Sequence, residues 1–274
     1  MPDDDRIDTA PATVQARRGI QSVEVAFRLL VALQASSRPL PLKEVAARAA
    51  LSPSAANNYL VSLVRTGLAA ADDRPGHYRL GPASVALGVS AILQMNGFDT
   101  MKREATALRD ATGQSAAVTV WTPHGPMSLF KEEGDLRSAV ELRTGLLSIT
   151  RTAAGKVFAA YLPQAAAAAL IEREGETAPA TFAEAARRKL LRDGFVVMRR
   201  QDGTGYTSAA APVWDWSGSL RFTLSIIGSQ SALRTDPGSP HMAALLEYAA
   251  AGTAALGGAM HHRAMGLHHD EASS

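Results

Sequence analysis

Apolar residues recur at spacings of three and four through the first third of the chain, and the period changes to two further on. Val23, Phe27, Leu30 and Leu33 share one face of a helix that starts near Ile20. Ser22 is placed to cap that helix, and Ser36, Ser37, Arg38 and Pro39 break it. Leu42, Val45, Ala46 and Ala49 form the inner stripe of a short second helix, with Pro41 just ahead of it. Ser52 then reads as an N-cap and Pro53 as the first residue of a third helix, which continues to about Thr66 and buries Ala56, Tyr59, Leu60 and Leu63. Gly67 ends it as a residue of left-handed conformation. Two short strands, 68–71 and 77–80, flank a turn of Asp72, Asp73, Arg74, Pro75 and Gly76.

Three helices and a hairpin in this order are those of a winged helix-turn-helix, whose third helix enters the major groove of DNA. That helix shows Ser54, Asn57, Asn58, Ser62 and Arg65 on its outer face, small or amide groups that read base edges, and not the Glu/Lys mixture of a merely solvated surface. Ser52 at its start, and Arg74 and His77 on the wing, complete the expected DNA-binding set. A three-helix packing module would share the helix order. The cap-proline-serine turn, the amide-rich face and the hairpin favour DNA.

Pro82 opens an apolar helical run over 83–95, with Val85, Val89, Ile92 and Leu93 on or near one face, and an amphipathic helix follows over about 99–111. So apolar a helix between two domains needs a partner, and a second copy of the chain is the expected one. Strands are expected over 116–121, 127–131, 195–199, 206–213 and 220–228, and helices over 153–162, 163–173, 182–193 and 241–262. The expected fold class is α+β, with a sheet whose helices pack on one face. The expected organisation is a disordered leader over 1–18, the winged domain over 19–81, a linker and dimerisation helix over 82–97, a ligand domain over 98–262 and a disordered tail over 263–274.

Net charge is only +2, but its distribution sharpens the reading. Residues 1–16 carry one basic and four acidic side chains, residues 17–80 nine and four, and the remainder 18 of each sign. The excess of positive charge thus coincides with the proposed DNA-binding block. The chain has no cysteine, which excludes disulfides, thiolate metal sites and thiol chemistry. The acidic leader is not a signal peptide, and no apolar run reaches the roughly 18 residues of a membrane span, so a cytoplasmic location without membrane partners is expected.

These segments resemble the IclR-type regulators. Gly19-Ile20-Gln21-Ser22-Val23-Glu24 is similar to the start of their first helix, as are Pro41-Leu42-Lys43-Glu44-Val45-Ala46 and the wing from Thr66-Gly67-Leu68 to Tyr78-Arg79-Leu80-Gly81. Thr150-Arg151-Thr152-Ala153-Ala154-Gly155-Lys156, Gly194-Phe195, the run from Ser208 to Asp215 and Leu224-Ser225-Ile226-Ile227-Gly228 extend the resemblance to about residues 19–260. It implies a GAF-like effector domain holding a small organic acid, and homodimers that often pair into tetramers. The family's recognition helix commonly carries a basic residue near its start and a His/Tyr-Arg pair further on. Here those places hold Pro53, Asn57 and Asn58, which keeps the architecture and leaves the operator sequence open.

Thr152 to Gly155 precede a helix, so their N–H groups are suited to an acid's carboxylate, with Arg151 and Arg143 as charge partners. The resemblance adds Thr207, Ser208 and Ser225 as pocket-facing strand positions, and Trp121, Ala154 and Gly155 complete the expected effector set. The expected activity is that of an effector-responsive DNA-binding repressor of a metabolic operon. The alternative is an enzyme built on the GAF-like domain. No Gly-x-Ser-x-Gly elbow, P-loop, Gly-x-Gly-x-x-Gly turn or His-Glu-x-x-His helix appears, so neither catalytic residue nor cofactor nor metal is expected. His261, His262, His268 and His269 cluster near the C-terminus and read as a solvated tail.

Overall fold

A computed structural model describes residues 19–135, 144–200 and 205–259. The leader, Arg143 and the four C-terminal histidines lie outside the described residues. The chain divides into two compact units, Met1–Gln94 and Met95–Ser274. Among the described residues no helix is long and apolar enough to cross a membrane.

The first unit contains α1 (Gln21–Gln34), β1 (Leu40–Pro41), α2 (Leu42–Arg48), α3 (Pro53–Arg65), β2 (Ala69–Ala71), β3 (His77–Leu80) and α4 (Pro82–Leu93). Leu29, Leu33, Leu40, Val45, Ala46, Ala56, Leu60, Leu63 and Ala69 make one core, with Tyr59 packed at its edge. The strands form an antiparallel sheet in the order β1-β3-β2. The two-residue β1, with Leu40 opposite Tyr78, has no periodic signal of its own and was not expected from the sequence. The N-terminus of α4 is tied to the wing by the Ala83 amide on the Gly67 carbonyl at 3.0 Å and the Ser84 hydroxyl on the Leu68 carbonyl at 2.7 Å.

The structure corrects the reading of α1. Its inner stripe is Val25, Leu29, Ala32 and Leu33, while Val23 and Phe27 are 64% and 57% exposed. Apolar residues occupy two faces of this helix, so spacing alone does not identify the one that meets α2 and α3. Ser22 is not the cap either. Ile20 holds the cap position, with no side-chain hydrogen bond, and Ser22 lies inside the first turn.

The second unit contains α5 (Phe98–Thr112), β4 (Ser115–Thr122), β5 (Gly125–Glu132), β6 (Gly145–Leu146), α6 (Ala153–Tyr161), α7 (Gln164–Arg173), α8 (Pro179–Asp193), β7 (Val196–Arg199), β8 (Tyr206–Trp214), β9 (Leu220–Ser229) and α9 (Pro240–Ala255). Its six strands form an antiparallel sheet in the order β6-β5-β4-β9-β8-β7. The expectation of helices on one face is overturned. Ala210 of β8 packs with Ala153 and Val157 of α6 and Leu190 of α8. Val213, three residues on and therefore pointing the other way, lies beside Gly252 of α9, which also faces Met101 of α5. The sheet is thus a middle layer, with α5 and α9 on one side and α6 to α8 on the other. Which face a helix covers is decided by long-range packing and leaves little trace in local periodicity.

Candidate DNA interface and effector site

In the first unit, the turn from α2 to α3 runs through Ala50, the one non-glycine residue of positive φ (54°) among the described residues. The Leu51 amide returns to the Ala46 carbonyl at 2.9 Å, and the Ser52 hydroxyl accepts the Ala55 amide at 3.2 Å. Pro53 at the first helical position and Gly67 (φ 73°) past the end fix the length of α3. Ala56, Leu60 and Leu63 face the core, which turns Ser54, Asn58, Ser62 and Arg65 outward together with Val61 and leaves Asn57 half-buried. Val61 was not singled out in the sequence because it reads as a core residue.

The charges of this unit are partly committed. Glu44 accepts from Arg38 at 2.9 Å and from Arg48 at 2.7 Å, and the Arg38 hydrogen bond is the largest cause of its pKa lying below the usual carboxylate range. On the wing, Arg74 pairs with Asp72 at 3.0 Å and His77 Nδ1 lies 3.2 Å from the Pro75 carbonyl. Lys43, Arg65 and Arg79 have no carboxylate partner among the described residues and carry the local positive charge. An exposed, solvent-screened pair such as Arg74–Asp72 contributes little, so its guanidinium remains available to a phosphate.

In the second unit, a cavity of about 470 Å³ opens on the α6 side of the sheet. Of the expected effector residues it brings together Arg151, Thr152, Ala154, Thr207, Ser208 and Ser225. Trp121 and Gly155 do not line it. The Trp121 ring packs on Phe158, centroids 5.7 Å apart, against the cluster of Ile149 and Ala167. Gly155 serves the loop instead, since a Cβ there would stand 2.4 Å from the Ile149 carbonyl oxygen and 2.6 Å from that of Ser148. Strand alternation turns the Thr207 side chain away from that of Ser208. The cavity also draws in Thr119, Ser128, Lys131, Ser148, Arg200 and Tyr206, which sequence reasoning missed. Thr119 and Ser128 sit directly opposite each other on β4 and β5, a register that only strand pairing reveals.

The boundary loop is organised by hydrogen bonds. The Thr152 hydroxyl accepts the Gly155 amide at 3.0 Å and donates to the Ser148 carbonyl at 2.7 Å, and the Ser148 hydroxyl accepts the Arg151 amide at 2.9 Å. That leaves the amides of Ala153 and Ala154 at the α6 N-terminus without an acceptor among the described residues. Behind the loop stands Glu174, just past the end of α7. One of its carboxylate oxygens accepts the Ile149 amide at 3.0 Å. The other accepts the Thr150 amide at 3.0 Å, the Thr150 hydroxyl at 2.6 Å and the Ser148 hydroxyl at 2.5 Å. Burial pushes the Glu174 pKa up, but these hydrogen bonds outweigh it and hold the carboxyl below the usual range. The cavity lining contains Lys131, Arg151 and Arg200 and no carboxylate among the described residues, and Lys131 also meets Glu133 at 3.1 Å. Two unbonded amides beside a lining that carries cations and, among the described residues, no carboxylate suit an anion.

Comparison with known proteins agrees with both halves. Residues 22–73 match the IclR helix-turn-helix domain, and residues 89–253, more than half of the chain, match the C-terminal domain of the bacterial transcriptional regulator IclR. The chain is 27% identical over 215 residues to the HTH-type transcriptional regulator XynR of Escherichia coli (strain K12), covering 76% of this chain and 85% of that one. An IclR-type transcriptional regulator from Silicibacter sp. TM1040 shares its fold at a TM-score of 0.75 and 18% identity, over 87% of this chain and 97% of that one. An IclR homolog from Microbacterium hydrocarbonoxydans, solved in complex with 4-hydroxybenzoate, does so at 0.63 and 18%, over 86% and 98%. With a DNA-binding and a C-terminal domain matched in order, the chain belongs to the IclR family of bacterial transcriptional regulators.

Proposed function

We propose that this regulator is a cytoplasmic, homodimeric repressor of a metabolic operon that responds to a small organic acid. Residues 19–81 bind double-stranded operator DNA, the segment 82–97 joins two copies, and residues 98–262 hold the effector. The observation that carries the effector reading is the α6 N-terminus, where the Ala153 and Ala154 amides stand with Arg151 beside a cavity whose described lining has cations and no carboxylate. The 4-hydroxybenzoate complex of the Microbacterium homolog supports an acid of comparable size. On the DNA side, Ser54, Asn58, Ser62 and Arg65 read the major groove, Asn57 flanks them, Ser52 sets the helix start, and Arg74 and His77 contact the backbone.

Support for the dimer comes from α4, in which no residue is buried and Val85, Leu87, Val89 and Leu93 are 50% to 75% exposed. An apolar helix of this kind is stable in water when a partner covers it. Operator half-sites lie about one helical turn apart, so two-fold pairing matches a palindromic site. Two such dimers pairing would give a tetramer. Regulation is then a coupling free energy: an acid that binds one arrangement of the dimer better lowers operator affinity by the same factor, about 5–150-fold for typical couplings.

The test is operator binding by the purified full chain, at fixed salt, titrated with a panel of small carboxylates. Release of the operator by at least one acid, and its loss in Arg151→Ala, is the expected result. An operator complex indifferent to every acid, in a protein that binds none of them, would contradict the reading.

A further inference from the structure

Val61 is an apolar side chain on the outward face of α3, 42% exposed and turned away from the Ala56, Leu60 and Leu63 stripe that meets the core. The exposed apolar residues of α1 and α4 stand in rows, Val23 with Phe27 and Val85 with Val89, each pair four residues apart. Val61 is set differently. Its helical neighbours at spacings of three and four are Asn57, Asn58, Val64 and Arg65. The side chains of Asn58 and Arg65 have no hydrogen-bond or ion-pair partner among the described residues, and α3 carries no acidic residue from end to end. As a β-branched residue in a helix, Val61 is held in one strongly preferred rotamer, so its methyl groups are fixed in place and a contact costs little side-chain entropy.

A rigid apolar group between an amide and a guanidinium, on a helix free of negative charge, matches one feature of the DNA major groove. That feature is the 5-methyl group of thymine, the apolar mark among the donors and acceptors of the base edges. We propose that Val61 is a specificity-determining residue that packs on a thymine 5-methyl group in each operator half-site. Asn58 stands three residues before it, a rise of about 4.5 Å along the helix, against about 3.4 Å for one base step. The thymine therefore lies within a step or two of the base edge that Asn58 reads. This rests on the DNA reading given above and adds to it a residue and the base it selects.

The experiment selects duplexes bound by the purified full chain from a random library at one stated salt concentration. Each thymine of the selected site is then replaced by uracil, which lacks only the 5-methyl group, at the equivalent position of both half-sites. Burying one methyl group contributes about fourfold in affinity, so replacement at the contacted position should weaken wild-type binding by about tenfold or more. In Val61→Ala the same replacement should cost less than about twofold, and Val61→Ile, which keeps the branched group, should retain the preference. A fold defect or a lost dimer would weaken thymine and uracil sites alike and would not give this pattern. Uracil tolerated at every position by the wild type overturns the proposal, as does a uracil penalty equal in wild type and Val61→Ala. A library from which no site is selected refutes the DNA reading itself and this inference with it, so the two failures are told apart.

Discussion

Replacing Glu174 with glutamine tests whether the cavity's boundary loop is held by one carboxylate. Four donors converge on it: the amides of Ile149 and Thr150 and the hydroxyls of Ser148 and Thr150. Glutamine has one acceptor oxygen, so its amide nitrogen must face at least one N–H donor, and the remaining hydrogen bonds lose their charge assistance. Hydrogen bonds to a charged group contribute about 1.5–3 kcal/mol each and neutral ones about 0.5–1.5 kcal/mol, so the variant should lose about 2–4 kcal/mol of local stability. Ser148 connects this to the site, because its hydroxyl holds the Arg151 amide and its carbonyl holds the Thr152 hydroxyl. If the loop opens before the whole unit unfolds, effector affinity should fall by at least about 30-fold, while effector-free operator affinity stays within about twofold. Calorimetry with the tightest acid of the panel, alongside operator binding without acid, reads the two quantities separately. An acidic arm follows from the lowered pKa. The carboxylate's contribution is fully present above its unfolded value near 4.5 and is lost as pH falls through the lower folded value, so the stability gap between wild type and E174Q should narrow below that point. Equal effector affinity and equal thermal stability in the two proteins at neutral pH would refute the reasoning.

Asn58→Ala or Arg65→Ala should each weaken specific operator binding by about 1–3 kcal/mol with the thermal midpoint unchanged, by gel shift and calorimetry; unaltered affinity in both would remove α3 from the reading surface. Leu87→Glu combined with Leu93→Glu places charges on the exposed face of α4 and should yield monomers in sedimentation, with operator affinity reduced more than about tenfold; an intact dimer would move the interface elsewhere. Ala50→Gly relieves a left-handed conformation that costs an L-residue about 1–2 kcal/mol, so the first unit should gain up to about 1 kcal/mol after the glycine entropy is set against it. A lower melting temperature would count against strain in that turn.

The helix-turn-helix was legible because its signals are local. Ser52, Pro53 and Gly67 act on their immediate neighbours, and the Ala56, Leu60 and Leu63 stripe is a helical spacing. The same logic failed for α1, where Val23 and Phe27 compete with Val25 and Leu29 and only contact with α2 and α3 decides. In the second unit the strands declared themselves as short, largely apolar runs between turn residues, but their order, and the division of helices between two faces, depend on partners distant in sequence. The cavity shows both sides of this. The cap at Thr152 and the start of α6 are visible in a few residues. Glu174, by contrast, reaches partners 24 to 26 residues away and belongs to no motif. Trp121 stands outside the cavity lining for a related reason: on its strand it packs against Phe158, a contact that no spacing encodes.

The most direct test of the account is a footprint of the purified full chain on genomic DNA fragments from its own organism, at one stated salt concentration, with and without the acid it binds. A short, approximately palindromic protected site beside a promoter, cleared by the acid, is the predicted result. Salt-sensitive binding spread over all fragments, with no protected site and no response to acid, would contradict it.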